Sequence, residues 1–130
     1  MGLAKAARIL AGESPEAVFE SRTYYKVANF YRGIMSNGRE GVCVDRHAWD
    51  VYTGIRHCDS AHESTTLPVR PNVAGKRYME AHAAYTEAAQ IISEREGREV
   101  SGCEVQAVTW IVWRRRYWGE GAFDYKPEEV

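Results

Sequence analysis

Lys26 and Asp45 stand nineteen positions apart in the stretch KVANFYRGIMSNGREGVCVDRHAWDVY, residues 26–52. An amine beside a carboxylate is the equipment of imine chemistry. A lysine neutralised by desolvation attacks a carbon centre, and the carboxylate stabilises the cation that develops. The residues between them read as a helix, a glycine-bounded loop and a short extended return, an order that brings the start of one helix beside the start of the next. Two helix N-termini in one place favour an anion. Taken singly, each residue has a plainer reading, Lys26 as a solvated helix residue and Asp45 as an N-cap.

Two further groups invite chemistry. His47, His57 and His62, with Cys58 and Asp59, are all able to bind a metal, but their spacing fits no tetrahedral ligand pattern, so neither metal nor cofactor is expected. His82 falls on the apolar side of its segment, which predicts a buried, hydrogen-bonded ring. Arg114-Arg115-Arg116, flanked by Trp110, Trp113, Tyr117 and Trp118, has the form of a basic patch interleaved with aromatics that grips phosphate and stacks bases. Its plainer reading is core tryptophans followed by arginines that the negative end of a helix attracts.

The elements that must position these residues are mostly helical. Leu3, Ala6, Ala7, Ile9 and Leu10 predict a helix over 3–11, and Ser14-Pro15-Glu16 predicts a capped second one over 15–20. Val27, Phe30, Tyr31 and Ile34 predict an amphipathic helix over 22–35 that Ser36-Asn37-Gly38 ends, and Val42-Cys43-Val44 is extended. Asp45 caps a helix over 46–53, closed by Gly54. Residues 54–74, with two prolines and little periodicity, read as a long surface loop. Helical periodicity returns over 75–94, and the capping-box form Ser101-x-x-Glu104 opens a helix to about Arg116. The tail from about 119 is loose, anchored by Phe123 and Tyr125.

The whole is a mainly α single domain over 1–130. The chain has a formal net charge of −1 and a pI near 6.4, which excludes a broadly cationic coat and confines any DNA contact to a local patch. Three widely spaced cysteines support no disulfide framework and fit a reducing, cytoplasmic setting. No stretch approaches the roughly 18 apolar residues of a membrane span.

The stretch from Lys26-Val27-Ala28 through Met35 to Val44-Asp45-Arg46-His47-Ala48-Trp49 resembles the lysine-to-aspartate segment of the helix-hairpin-helix DNA glycosylases, in particular the 8-oxoguanine branch. That resemblance implies a reduced helix-hairpin-helix glycosylase-like helical domain acting on DNA. Lys26 would be the nucleophile that attacks the sugar C1′ of a flipped nucleotide, forming a Schiff base that leads to strand cleavage, and Asp45 the electrostatic assistant. His47 would be structural or close to the substrate. The DNA-contacting set is then Arg22, Thr23, Arg46 and His47, with Arg114, Arg115 and Arg116. A longer resemblance, through KAARILAGESPEAVF, KVANFYRGI, VCVDRHAWDV, AYTEAA and VQAVTWIVWRR, is to a family of small uncharacterised proteins of actinobacterial phages and their hosts, which implies a host-cytoplasmic protein.

Two departures from the glycosylase pattern shape the alternatives. Residues 19–25, FESRTYY, stand where those enzymes carry a glycine-rich phosphate-binding hairpin, so Arg22 and Thr23 replace it only in part. The chain also begins later than those enzymes do, which implies a lesion-reading pocket that is absent or supplied by a partner, and an apolar face left bare that favours self-association. The competing reading is a non-catalytic module that keeps the fold and binds DNA or a host protein. A metal-dependent nuclease on the His57 to His62 stretch is the third.

Overall fold

The structure, a computed structural model, describes residues 2–19, 25–56 and 75–119. Among the described residues there are six helices and no strand: α1 (Gly2–Leu10), α2 (Pro15–Val18), α3 (Tyr25–Met35), α4 (Arg46–Thr53), α5 (Lys76–Glu96) and α6 (Gly102–Trp118). The fold is mainly α, as the periodicity requires. Arg22, Thr23, His57, Cys58, Asp59, His62, Phe123 and Tyr125, with most of the expected 54–74 loop and of the tail, lie outside the described residues.

α5, α6 and α4 pack on one another to make the core. Val42, Val44, Ala48, Trp49, Tyr78, Ala81, Tyr85, Ala89, Val100 and Val105 fill it. α6 runs two residues beyond the expected end, and α5 continues to Glu96, where Gly97 closes it in the left-handed conformation that favours glycine. The Ser101 hydroxyl accepts the backbone N–H of Glu104 at 3.1 Å, as the capping-box form predicts. Arg98 takes the Glu104 carboxylate at 2.8 Å and holds its pKa below the usual range, chiefly through that hydrogen bond.

Three expectations are corrected. Ser14 stands at the N-cap of α2 in extended conformation, but its side chain makes no capping bond. The helix is a single turn whose first residues, Glu16 and Ala17, are exposed, so solvent can serve their N–H groups. The second correction concerns α3, whose apolar stripe does not face the core. Val27, Phe30 and Ile34 are 43%, 58% and 63% exposed, while Ala28 and Asn29 are buried. The loop after α3 also approaches the helix closely at Asn29 and Arg32. A Cβ on Gly41 would lie 2.5 Å from the Asn29 carbonyl oxygen and 2.9 Å from Arg32 Cβ. Third, His82 is half-buried, with burial first and the Arg32 charge second lowering its pKa.

Residues 42–44 have no partner strand among the described residues, so their buried polar groups need other satisfaction. α5 supplies it. The Tyr78 hydroxyl donates to the Val42 carbonyl at 2.7 Å and accepts the Val44 N–H at 3.0 Å, standing in for a neighbouring strand. Its ring stacks on Tyr25 at 5.6 Å, which ties the start of α3 to the same place. Tyr85, two turns along, donates to the Ala48 carbonyl at 2.8 Å.

Candidate nucleic-acid interface

Asp45 ends the extended segment and opens α4. Its Oδ1 accepts the Ala48 N–H at 2.7 Å, satisfying one of the open donors of the first turn. Its Oδ2 accepts the indole N–H of Trp110 at 3.1 Å, a bond that spans 65 residues and fixes α6 to the mouth of α4. Both oxygens of this carboxylate therefore have a structural task.

Lys26 is the second residue of α3 and is exposed, with no hydrogen bond or ion pair among the described residues. It and Asp45 both act on the Cys43 thiol. That thiol is pushed up to about 11, chiefly by burial and then by the Asp45 charge, against a downward pull from the Lys26 charge. The two residues thus share a neighbourhood around Cys43 without forming a salt bridge. A shallow cavity of about 200 Å³ beside them is lined by Asn29, Phe30, Ile34, Cys43 and Cys103, among others, and not by Lys26 or Asp45.

The arginines arrange themselves differently from their order in sequence. Consecutive helix positions are about 100° apart, so Arg114, Arg115 and Arg116 point three ways. Arg114 turns toward α4, with its guanidinium 4.5 Å from the Trp110 ring centre. Burial first, and the charge of Arg46 second, lower its pKa, while the Asp45 charge raises it. Arg116 lies over Tyr117 at 5.6 Å, and Arg115 is exposed. Arg56, just beyond α4, lies 5.2 Å from the Tyr117 ring and 5.5 Å from Trp118. Arg56 and Arg114 therefore lie against the aromatic rings of α6 from two places in the chain, and Arg46 is close enough to Arg114 for its charge to act there.

His47 supports this end from beneath. It is 2% exposed and meets Trp110 and Trp118 edge-on, at 6.0 and 5.4 Å. Its ring is a packing surface for the aromatics above it. Asp50, four residues on from Arg46 and so on the same side of α4, is fully buried. Neither Asp50 nor Arg56 stands out in the sequence. Asp50 has only its setting between Trp49 and Val51 to mark it, and Arg56 has no local signal.

A family model described as a family of unknown function (DUF7178) matches residues 1–117. The chain belongs to DUF7178. The DUF7178 match runs from α1 into the last turn of α6, so it takes in Lys26, Asp45, Arg46, Arg56 and all three arginines at 114–116. No curated protein and no solved structure matches the chain. Among the described residues, no helix is long and apolar enough to cross a membrane, and no group of three or more His, Cys, Asp or Glu side chains is placed to hold a metal.

The bonds of Asp45 set an expected result. Asp45→Ala removes the cap of α4 and strands the Trp110 N–H, for a combined loss of about 2 kcal/mol. Asp45→Asn keeps a capping oxygen and loses less. Urea unfolding of the two variants measures the difference, and equal midpoints would show that the cap does not matter.

Proposed function

We propose that the chain is a DNA-binding protein that acts as a non-catalytic module, with the arginine and aromatic end of α4 and α6 as its contact surface. The observation that carries this reading is the setting of Arg56 and Arg114, from separate elements, against Tyr117, Trp118 and Trp110, with the charge of Arg46 close to Arg114. Guanidinium groups take phosphate oxygens in bidentate fashion, and indole and phenol faces stack on bases, a combination suited to single strands. The near-neutral net charge speaks against a broadly cationic coat and for contact through a local patch.

Fluorescence anisotropy on a labelled oligonucleotide, single- and double-stranded, tests it across a salt series. Binding weakens as salt rises, and Arg46→Ala, Arg56→Ala and Arg114→Ala each reduce the slope of log K against log salt by about 1. No binding at low salt, or binding unchanged by the three substitutions together, would refute the proposal.

A second reading, DNA glycosylase with lyase activity through Lys26 and Asp45, draws support from one observation: Tyr25, next to Lys26, stacks on Tyr78, whose hydroxyl accepts the N–H of Val44, next to Asp45, so the two helix starts share one locality. The helix, loop, extended run and second helix over 25–53 suit the glycosylase-like fold that the sequence suggests. Borohydride trapping on DNA with abasic or oxidised sites separates the readings. The enzyme gives a covalent adduct that Lys26→Ala abolishes, and the module gives none.

A further inference from the structure

Three helices turn apolar stripes outward: α1 with Leu3 and Leu10, α3 with Val27, Phe30 and Ile34, and α6 with Val108, Ile111 and Val112. Their charges distinguish them. α1 carries Lys5 and Arg8 and no acidic residue, and α3 carries Lys26 and Arg32 and no acidic residue, so either stripe set against its own copy would bring like charges together.

α6 differs. Its first turns present Glu104 and its last turn Arg115, both at the ends of the same outward face as Val108 and Ile111, by the 4- and 3-residue steps that stack side chains on one side of a helix. α4 and α5 pack against the side of α6 that carries Val105, Thr109, Trp110 and Trp113. Val108, Ile111 and Val112 remain 55%, 42% and 60% exposed.

The spacing of this face is symmetric about a point between Thr109 and Trp110. We infer that α6 pairs with α6 of a second copy, antiparallel about a two-fold axis at that point, so that Glu104 meets Arg115 of the other copy and Val108 meets Ile111, each contact made twice. This is an isologous interface, in which one patch complements itself. The Glu104 carboxylate already accepts from Arg98 at 2.8 Å and has lone pairs left for a second guanidinium. Arg115 then belongs to the pairing face, apart from the Arg46, Arg56 and Arg114 of the proposed function. The pairing does not depend on that function.

One helix stripe is a small interface against the roughly 800 Å² per partner of a standard one, so the dimer dissociates in the micromolar range. Light scattering on the full chain, from about 5 to about 200 µM, is expected to give a mass rising from 14.7 kDa toward twice that value. Ile111→Asp, at a surface position, raises the dissociation constant about tenfold or more with the helical circular dichroism spectrum unchanged. Glu104→Lys and Arg115→Glu each weaken the dimer, and the two together restore it, which a merely structural loss at either site would not do. A mass that stays at one chain throughout, or a dimer whose charge reversals fail to rescue each other, overturns the proposal.

Discussion

Tyr78→Phe is expected to destabilise the protein by about 3 kcal/mol although it removes a single oxygen, because two buried backbone groups lose their partner together. The hydroxyl is bonded to both the Val42 carbonyl and the Val44 N–H, and Tyr78 is only 2% exposed. Burial pushes its phenol pKa up, more than the Val44 N–H lowers it, so the group stays protonated and remains a donor. Urea unfolding should show a lower midpoint with an unchanged slope. A change under about 1 kcal/mol would mean that residues 42–44 find other partners and that the phenol is not their substitute strand.

Gly41→Ala should cost a similar amount, about 3 kcal/mol, for two separate reasons. The residue has φ of +73°, where a side chain is strained, and its new methyl would meet the Asn29 carbonyl and Arg32 Cβ inside contact distance. Gly38→Ala separates the two effects. Gly38 also has positive φ, +80°, but nothing lies within 4 Å of its added Cβ, so only the backbone cost of about 1 kcal/mol remains. Equal losses at the two positions would show that α3 yields easily and that the close approach at Gly41 is not tight.

These two residues also mark where the sequence stops being readable. Helix positions are legible because periodicity and caps are local: Asp45 and Gly54 bound α4 where expected, and Ser101 opens α6 as its spacing requires. Periodicity gives a direction around a helix's own axis, however, and not what lies in that direction. For α3 the apolar direction leads to the surface, and a positive-φ glycine brings the next segment close at Asn29 and Arg32. The joining of Trp110 to Asp45 depends on two helices 65 residues apart and has no local trace. The triple arginine run misleads in the opposite way, because adjacency in sequence becomes divergence on a helix, and Arg114 is set against Trp110.

The phenol that serves residues 42–44 lies 34 to 36 positions away, on another helix. The nineteen-residue interval from Lys26 to Asp45 is thus not a portable cassette: its shape is written partly at position 78. Among related sequences, a tyrosine there should be inherited together with a small residue at 41 and aliphatic ones at 42 and 44, and a lineage that lost the first would have to redraw the rest.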